Sequence, residues 1–254
     1  MRIIGLIPAR LESTRLPGKP LKLIAGLPMI AHVYFRSRVS SALDDLYVCS
    51  DSLEIETLCN KLDIPHVMTS SQHTNGTERC GEAASILGLE PQDIVIDIQG
   101  DEPLVDPEHI TAVSKEARLN HADIVVPHLL INEADENIVK VVSSTLDNRI
   151  LYLSRANVPY AFRGEEPYKK HLSIISFSMR ALTLFCSSHE TALEKIEGVE
   201  LLRAIELGLC LRTIRLRGES RAVDTQKDLD FVRVHMELDP YFIEYKHTKI
   251  KLNE

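Results

Sequence analysis

Short runs of β-branched and aliphatic residues alternate with stretches of helical spacing through the first half of this chain, and this alternation constrains its fold most tightly. Residues 3–7 read as a buried strand. Pro28 marks a helix start, followed by Ile30, Val33 and Tyr34 on one face. Residues 46–49 form a second strand, and Asp51 or Ser52 caps a helix carrying Ile55, Leu58, Cys59 and Leu62. A short third strand is expected at 66–68. Asn75-Gly76 signals a turn with Thr77 as N-cap, and the helix beyond it places Cys80, Ala83, Ala84 and Leu87 at i, i+3, i+4 and i+7. A fourth strand at 94–98, a helix from about Pro107 and a fifth strand at 124–126 complete the pattern. Strands alternating with helices predict a three-layer α/β/α fold with a mainly parallel sheet and right-handed crossovers.

After about residue 135 the pattern changes. Runs at 138–142 and 150–153 flank Asp147-Asn148, which predicts a β-hairpin. Residues 156–170 hold two prolines, Gly164 and the charged residues Arg163, Glu165, Glu166, Lys169 and Lys170, and read as loop. A strand at 172–179, helical patterns at 181–187 and 199–208 and a strand at 211–216 follow. Thr225 with Asp228 three residues on has capping-box spacing and opens a helix striped by Leu229, Val232 and Met236. Residues 246–251 read as a solvated end. At 254 residues the expectation is one domain, or one with a small lobe.

The net charge of −8 argues against non-specific nucleic-acid binding. The odd, scattered cysteines (Cys49, Cys59, Cys80, Cys186 and Cys210) give neither a disulfide framework nor zinc-ligand spacing. Reduced thiols, no leader segment and no apolar run of membrane-spanning length lead to the expectation of a cytoplasmic protein without membrane insertion.

The chemistry concentrates in four places. Arg10, Arg15 and Lys19 lie on a loop leaving the first strand, among the small residues Ala9, Ser13, Thr14 and Gly18. That edge of an α/β sheet is where ligands bind, and forked and point-charge donors suit phosphate oxygens, so the loop reads as a polyphosphate cradle or as a solvated basic turn. It is neither a Walker A loop, since Pro20 follows Gly18-Lys19, nor a G-x-G-x-x-G fingerprint. The segment from Asp97 to Pro103 ends a strand in Asp101-Glu102, which could hold Mg²⁺ with substrate phosphates or merely turn the chain. Asp224 precedes a helix cap and is either a second metal ligand or a charge favouring that helix end. Residues 74–79 bring Gly76 to a helix start, a place for an anion or a hydroxyl-rich ligand, or an ordinary cap. His171, at a predicted strand start, has no Ser or Cys pairing that would make a hydrolytic triad.

Together these pieces resemble the 3-deoxy-manno-octulosonate (Kdo) cytidylyltransferase family. I-P-A-R-x-x-S-T-R-L-P-G-K-P-L occupies residues 7–21, G-x-P-M-I residues 26–30, G-T-E-R residues 76–79 and Q-G-D-E-P residues 99–103. V-K-V-V at 139–142, S-R-A at 154–156, H-L at 171–172 and V-D-T at 223–225 follow in order. The resemblance covers roughly residues 1–235. It implies a single nucleotidyltransferase domain over 1–254: a CTP-binding half at 1–130, a sugar-binding and dimerisation lobe at 131–220 and a return helix at 221–240. The implied reaction joins CTP to a 2-keto-3-deoxy sugar acid, giving a CMP-sugar and pyrophosphate for lipopolysaccharide, capsule or another glycan.

The resemblance further implies that Arg10 and Lys19 hold the triphosphate, with Lys19, Arg10 and Asp101 as the catalytic set. Asp101 and Asp224 would bind Mg²⁺. Arg15 and Gln99 would orient the sugar acid, and Gly76, Arg155, His171 and Glu200 would complete the substrate site. A homodimer is implied, with the hairpin at its interface. The chain departs from the family pattern in the sugar segment: Ile175 and Phe177 stand where tyrosines are usual, and Leu201 where glutamine is. These changes predict either a modified acceptor or compensation by neighbours. A CMP-sialate-type synthetase, another nucleotide-sugar transferase and an inactive regulatory homologue are the competing readings; the last is opposed by the retention of Lys19, Asp101 and Asp224.

Overall fold

The computed structural model describes residues 1–13, 15–119, 121–132, 135–164 and 166–247; Thr14, Asn120, Glu133, Ala134, Glu165 and the tail beyond His247 lie outside the described residues. The strands are β1 (Ile3–Ala9), β2 (Leu23–Ile24), β3 (Leu27–Pro28), β4 (Asp45–Ser50), β5 (His66–Met68), β6 (Ile94–Ile98), β7 (Ile124–Ile131), β8 (Lys140–Ser143), β9 (Ile150–Ser154), β10 (Tyr168–His171), β11 (Ile174–Ser178) and β12 (Leu211–Arg215). The helices are α1 (Met29–Val39), α2 (Leu53–Lys61), α3 (Gly76–Ile86), α4 (Pro107–Arg118), α5 (Met179–Cys186), α6 (Ala192–Glu197), α7 (Leu201–Glu206), α8 (Gln226–Met236) and α9 (Pro240–Tyr245).

β1 is buried along its whole length because β4 and β6 flank it in parallel and helices cover both faces. Successive side chains alternate between two cores. Ile4 and Leu6 join Val95, Phe177 and the α3 residues Cys80, Ala83 and Ala84, whereas Ile3 and Ile7 join Ile96, Ile98 and residues of α1, α2 and α4. This is the expected α/β/α layering. The sheet runs β5-β4-β1-β6-β11-β7-β10-β8-β9, with β12 parallel to β7.

Three local expectations are corrected. Asn75, not Thr77, caps α3: its side chain accepts from the Glu78 amide, while Thr77 is fully buried inside the first turn. The segment read as loop to residue 170 becomes β10 at Tyr168, because β7 is long enough to pair with it after pairing β11. The strand expected at 172–179 is interrupted at Leu172-Ser173, so His171 ends a strand rather than starting one. Ser52 is the cap of α2, and Thr225 and Asp228 form the full capping box of α8.

A third core, unforeseen from local patterns, ties the basic loop to the C-terminal helices. Leu16, Ile24 and Met29 pack with Val223, Leu229, Met236 and the α9 residues Phe242 and Tyr245. It holds Asp224 beside the loop that follows β1. Gly18 adopts a left-handed conformation (φ 65°) at the entry to a single 3-10 turn over Lys19–Leu21. Gly100 has no room for a side chain, since a Cβ there would lie 2.7 Å from the Pro8 carbonyl oxygen.

Candidate active site

The C-terminal ends of β1 and β6 are adjacent, and the loops leaving them face one another across a cleft of about 710 Å³ lined by Arg10, Arg15, Lys19, Gly76, Gln99, Asp101 and Asp224. Lys19 is the pivot. Its Nζ lies 2.8 Å from Asp101 Oδ2 and 3.2 Å from Asp224 Oδ1, joining segments 82 and 205 residues away in sequence. Arg15 Nη2 adds a contact to Asp224 Oδ1 at 3.0 Å. Three of the four sequence constellations therefore meet at one ammonium. The fourth, the start of α3, forms another wall, where Gly76 lets the helix approach Pro8 and the Gln99 amide closely. Arg79 also lines this cleft; it is buried, bonded to Thr69 Oγ1 at 2.6 Å and 3.3 Å from Asp51.

Asp101 and Asp224 already hold one point cation, the Lys19 ammonium, between their oxygens. Hard carboxylate donors in that position fit Mg²⁺, which takes one or two carboxylates and completes its shell with phosphate oxygens and water. Among the described residues no group of three or more His, Cys, Asp or Glu side chains is assembled to hold a metal, so a nucleotide would have to supply the remaining ligands.

A second cavity of about 1,170 Å³ opens from the first, sharing Arg15, Asn75, Gln99, Asp101 and Asp224. Its walls include His171, Glu200, Ile175 and Leu201. Burial lowers the His171 ring to about 4, so it is neutral, and its Nε2 is shielded from water without a hydrogen-bond partner. Glu200 Oε1 accepts from the Thr77 hydroxyl at 2.9 Å, while Oε2 is shielded and unpartnered. Burial pushes the Glu200 carboxyl up to about 7.

That shift has a measurable consequence. A carboxyl raised above its unfolded value contributes stability below the ordinary carboxylate range and loses it as pH rises through about 7. Glu200→Gln cannot titrate. The stability of the Gln variant relative to the unsubstituted protein should therefore improve by about 2–3 kcal/mol between pH 5 and pH 8. Urea unfolding midpoints at both pH values read the change, and a pH-independent difference would show that Glu200 ionises as it does in the unfolded chain.

Two sequence expectations separate in space. Arg155 lines neither cavity. Its guanidinium donates to the carbonyls of Asn137 (3.3 Å), Glu197 (3.1 Å) and Gly198 (3.3 Å), so it staples the rim of the larger cavity, to which Asn137 and Gly198 belong. Of the three pattern-breaking residues, Ile175 and Leu201 reach the cavity, but Phe177 packs fully buried against Phe185. β11 runs antiparallel to β6, placing Ile175 opposite Asp97 near the rim and Phe177 opposite Val95, deeper in the sheet. Sequence reading made Thr77 a helix cap only and assigned no role to Asp97 or Arg203. The acidic residue within a β-branched strand was the one signal that marked Asp97.

The family model described as cytidylyltransferase matches residues 4–214. A 3-deoxy-manno-octulosonate cytidylyltransferase of Syntrophobacter fumaroxidans is 39% identical over 242 residues, covering 91% of this chain and 96% of the relative. An 8-amino-3,8-dideoxy-manno-octulosonate cytidylyltransferase of Shewanella pealeana is 36% identical over 247 residues, covering 94% and 100%. The solved structure of CMP:2-keto-3-deoxy-manno-octonic acid synthetase complexed with CTP superposes with a TM-score of 0.88 at 31% identity, over 94% of this chain and 99% of that one. A putative glucose-1-phosphate thymidylyltransferase from Bacillus anthracis, 13% identical with a TM-score of 0.69 over 92% and 94%, shares the fold.

Proposed function

Since this chain belongs to the cytidylyltransferase family, we propose that it transfers the cytidylyl group of CTP to the anomeric hydroxyl of a 2-keto-3-deoxy sugar acid, Kdo or a modified Kdo. The observation that carries this reading is Lys19 held between Asp101 and Asp224 where the two cavities join.

The smaller cleft would take the triphosphate. Arg10, Arg15 and Lys19 face it and offset the phosphate charge. Asp101 and Asp224 would hold Mg²⁺, which when bound withdraws charge from the reacting phosphate and the leaving pyrophosphate. Lys19 would offset charge on the phosphate oxygens beside that ion. In the larger cavity Gln99 and Arg15 are placed to orient the sugar carboxylate and hydroxyls, and the neutral His171 and Glu200 offer partners on the far wall. The anomeric hydroxyl loses its proton to solvent, its oxygen bonds to the α-phosphorus, and the α–β bridging bond breaks to release pyrophosphate. Positioning and charge neutralisation carry such a transfer.

The same reading includes one nucleotidyltransferase unit over the whole chain and a dimer formed through the second half. The open edge strand β9 carries exposed Leu151, and the segment after it exposes Tyr160 and Phe162, which supports an interface there. Among the described residues no helix is long and apolar enough to cross a membrane. Pyrophosphate release from CTP, Mg²⁺ and Kdo or 8-amino-Kdo tests the transfer, and light scattering tests the dimer. No release with any ulosonic acid would sink the proposal.

A further inference from the structure

Asp101 and Asp224 reach the cleft from very different backbones. Asp101 follows β6 in a tight turn whose path is fixed. Gly100 lies against the Pro8 carbonyl, and the amides of Glu102 and Val105 donate to the carbonyls of Gln99 and Glu102 at 3.3 and 2.9 Å. Asp224 lies on residues 216–225, which join β12 to α8 without regular structure. Such a segment has no ladder of its own, so its placement must come from bonds to the surrounding elements.

Those bonds come from three elements. Buried His109 of α4 donates from Nε2 to the Arg217 carbonyl at 2.6 Å. Lys170 of β10 donates from Nζ to the Ser220 carbonyl at 2.7 Å, and the Ser220 hydroxyl donates to Oε2 of buried Glu102 at 3.0 Å. The Val223 amide then donates to the Asp101 carbonyl at 2.9 Å, while the Val223 side chain is fully buried in the third core. Beyond it the Asp228 carboxylate, part of the capping box of α8, accepts from the Asp224 amide at 3.4 Å. Glu102 is the chain neighbour of Asp101. One residue therefore continues the backbone that carries the first carboxylate and grips the segment four residues ahead of the second.

Resting on the reading that Asp101 and Asp224 hold Mg²⁺, we propose that Lys170, Ser220 and Glu102 form a clamp that sets Asp224 at its distance from Asp101. They are positioning residues for the metal. Without the clamp the segment keeps its tether to α8 but loses the one ahead of Val223, and the two carboxylates are no longer held ready for one ion. Groups that orient a metal's ligands typically change metal affinity by about 10–100-fold when removed.

CTP binding, measured by calorimetry in Mg²⁺ and again in EDTA with no acceptor present, tests the clamp. The ratio of the two affinities reads the metal's contribution. Lys170 lines the larger cavity, but a contact with the sugar acid cannot move a ratio measured without it. Lys170→Met and Ser220→Ala should each lower the ratio by about tenfold, or to one where the starting ratio is smaller, and leave the affinity in EDTA unchanged. An undiminished ratio in either variant overturns the clamp. So does an equal fall with and without Mg²⁺, which would mark a general loosening of the cleft. A ratio of one in the unsubstituted protein overturns the metal reading of Asp101 and Asp224 and this inference with it, while pyrophosphate release judges the transfer separately. Should Lys170→Met fail to fold, Ser220→Ala, which removes a single oxygen, decides.

Discussion

Asp101→Asn is expected to cut the rate of pyrophosphate release by roughly 10²–10³-fold, as is typical when one preorganised charge is removed from a transition state. The variant keeps the shape of the side chain and the hydrogen bond of a neutral acceptor to Lys19, 2.8 Å away. What it loses is one of the two carboxylates that flank Lys19 in the smaller cleft. Metal held by Asp224 alone should bind more weakly, so raising Mg²⁺ should recover part of the loss, and chelation should abolish turnover in the unsubstituted protein. Lys19→Ala should be at least as severe, because it removes the ammonium that bridges Asp101 and Asp224, and Arg15 contacts only Asp224 of the pair. Neither change should alter stability by more than about 1 kcal/mol, since the ion pairs are partly solvated. Steady-state kinetics alongside thermal melts separate the two effects. An unchanged rate in either variant would move the chemistry elsewhere.

Arg203→Met should produce the largest stability loss. The guanidinium is 2% exposed and lies 2.7 Å from Glu194 and 3.0 Å from Glu78. It also donates to the carbonyls of Phe185 and Ser188 and stacks 4.2 Å over the Phe185 ring. Removing one partner of a buried ionic network strands the others, at a cost of about 3–5 kcal/mol. For a chain of this size that corresponds to a fall in melting temperature on the order of 10 °C. Adding Glu194→Gln to the Met variant should return part of the loss, because the stranded carboxylate with the poorest access to water is then neutral. A melt within two degrees of the unsubstituted protein would show that the network contributes little. The network matters to the site as well: Glu194, Val199 and Leu201 line the larger cavity, so loosening Arg203 should raise acceptor KM more than CTP KM.

Much of the first half was legible because its signals are local. A strand buried on both faces is mainly apolar, as residues 3–7 are, and residues 94–98 are apart from Asp97. Helix caps need a short oxygen-bearing side chain just before the first turn, which narrowed the cap of α2 to Asp51 or Ser52 and identified Thr225. The same rule misplaced the cap of α3 by two residues, because Asn75 and Thr77 are both capable and only the path of the chain decides between them. β10 escaped notice for a related reason: Tyr168-Lys169-Lys170-His171 has no apolar alternation, and the strand exists because the far half of β7 offers it a partner.

The sequence by itself determined the family, and through that resemblance the cytidylyl-transfer reaction. Arg10, Arg15, Lys19, Asp101 and Asp224 stand in ordered motifs whose residue types suit a triphosphate and a divalent cation, and polar groups of that kind are recognisable wherever the chain carries them. Only the tertiary structure decided how the larger cavity is walled. Ile175 and Phe177 look equivalent in sequence, two residues apart on one face of a strand. Antiparallel pairing with β6 sets one at the rim beside Asp97 and the other in the core against Phe185. Thr77, read as a cap, instead links two buried carboxyls, Asp97 and Glu200, that lie 103 residues apart. Register and layer packing are long-range properties, and no local pattern records which acid will face which when the sheet closes.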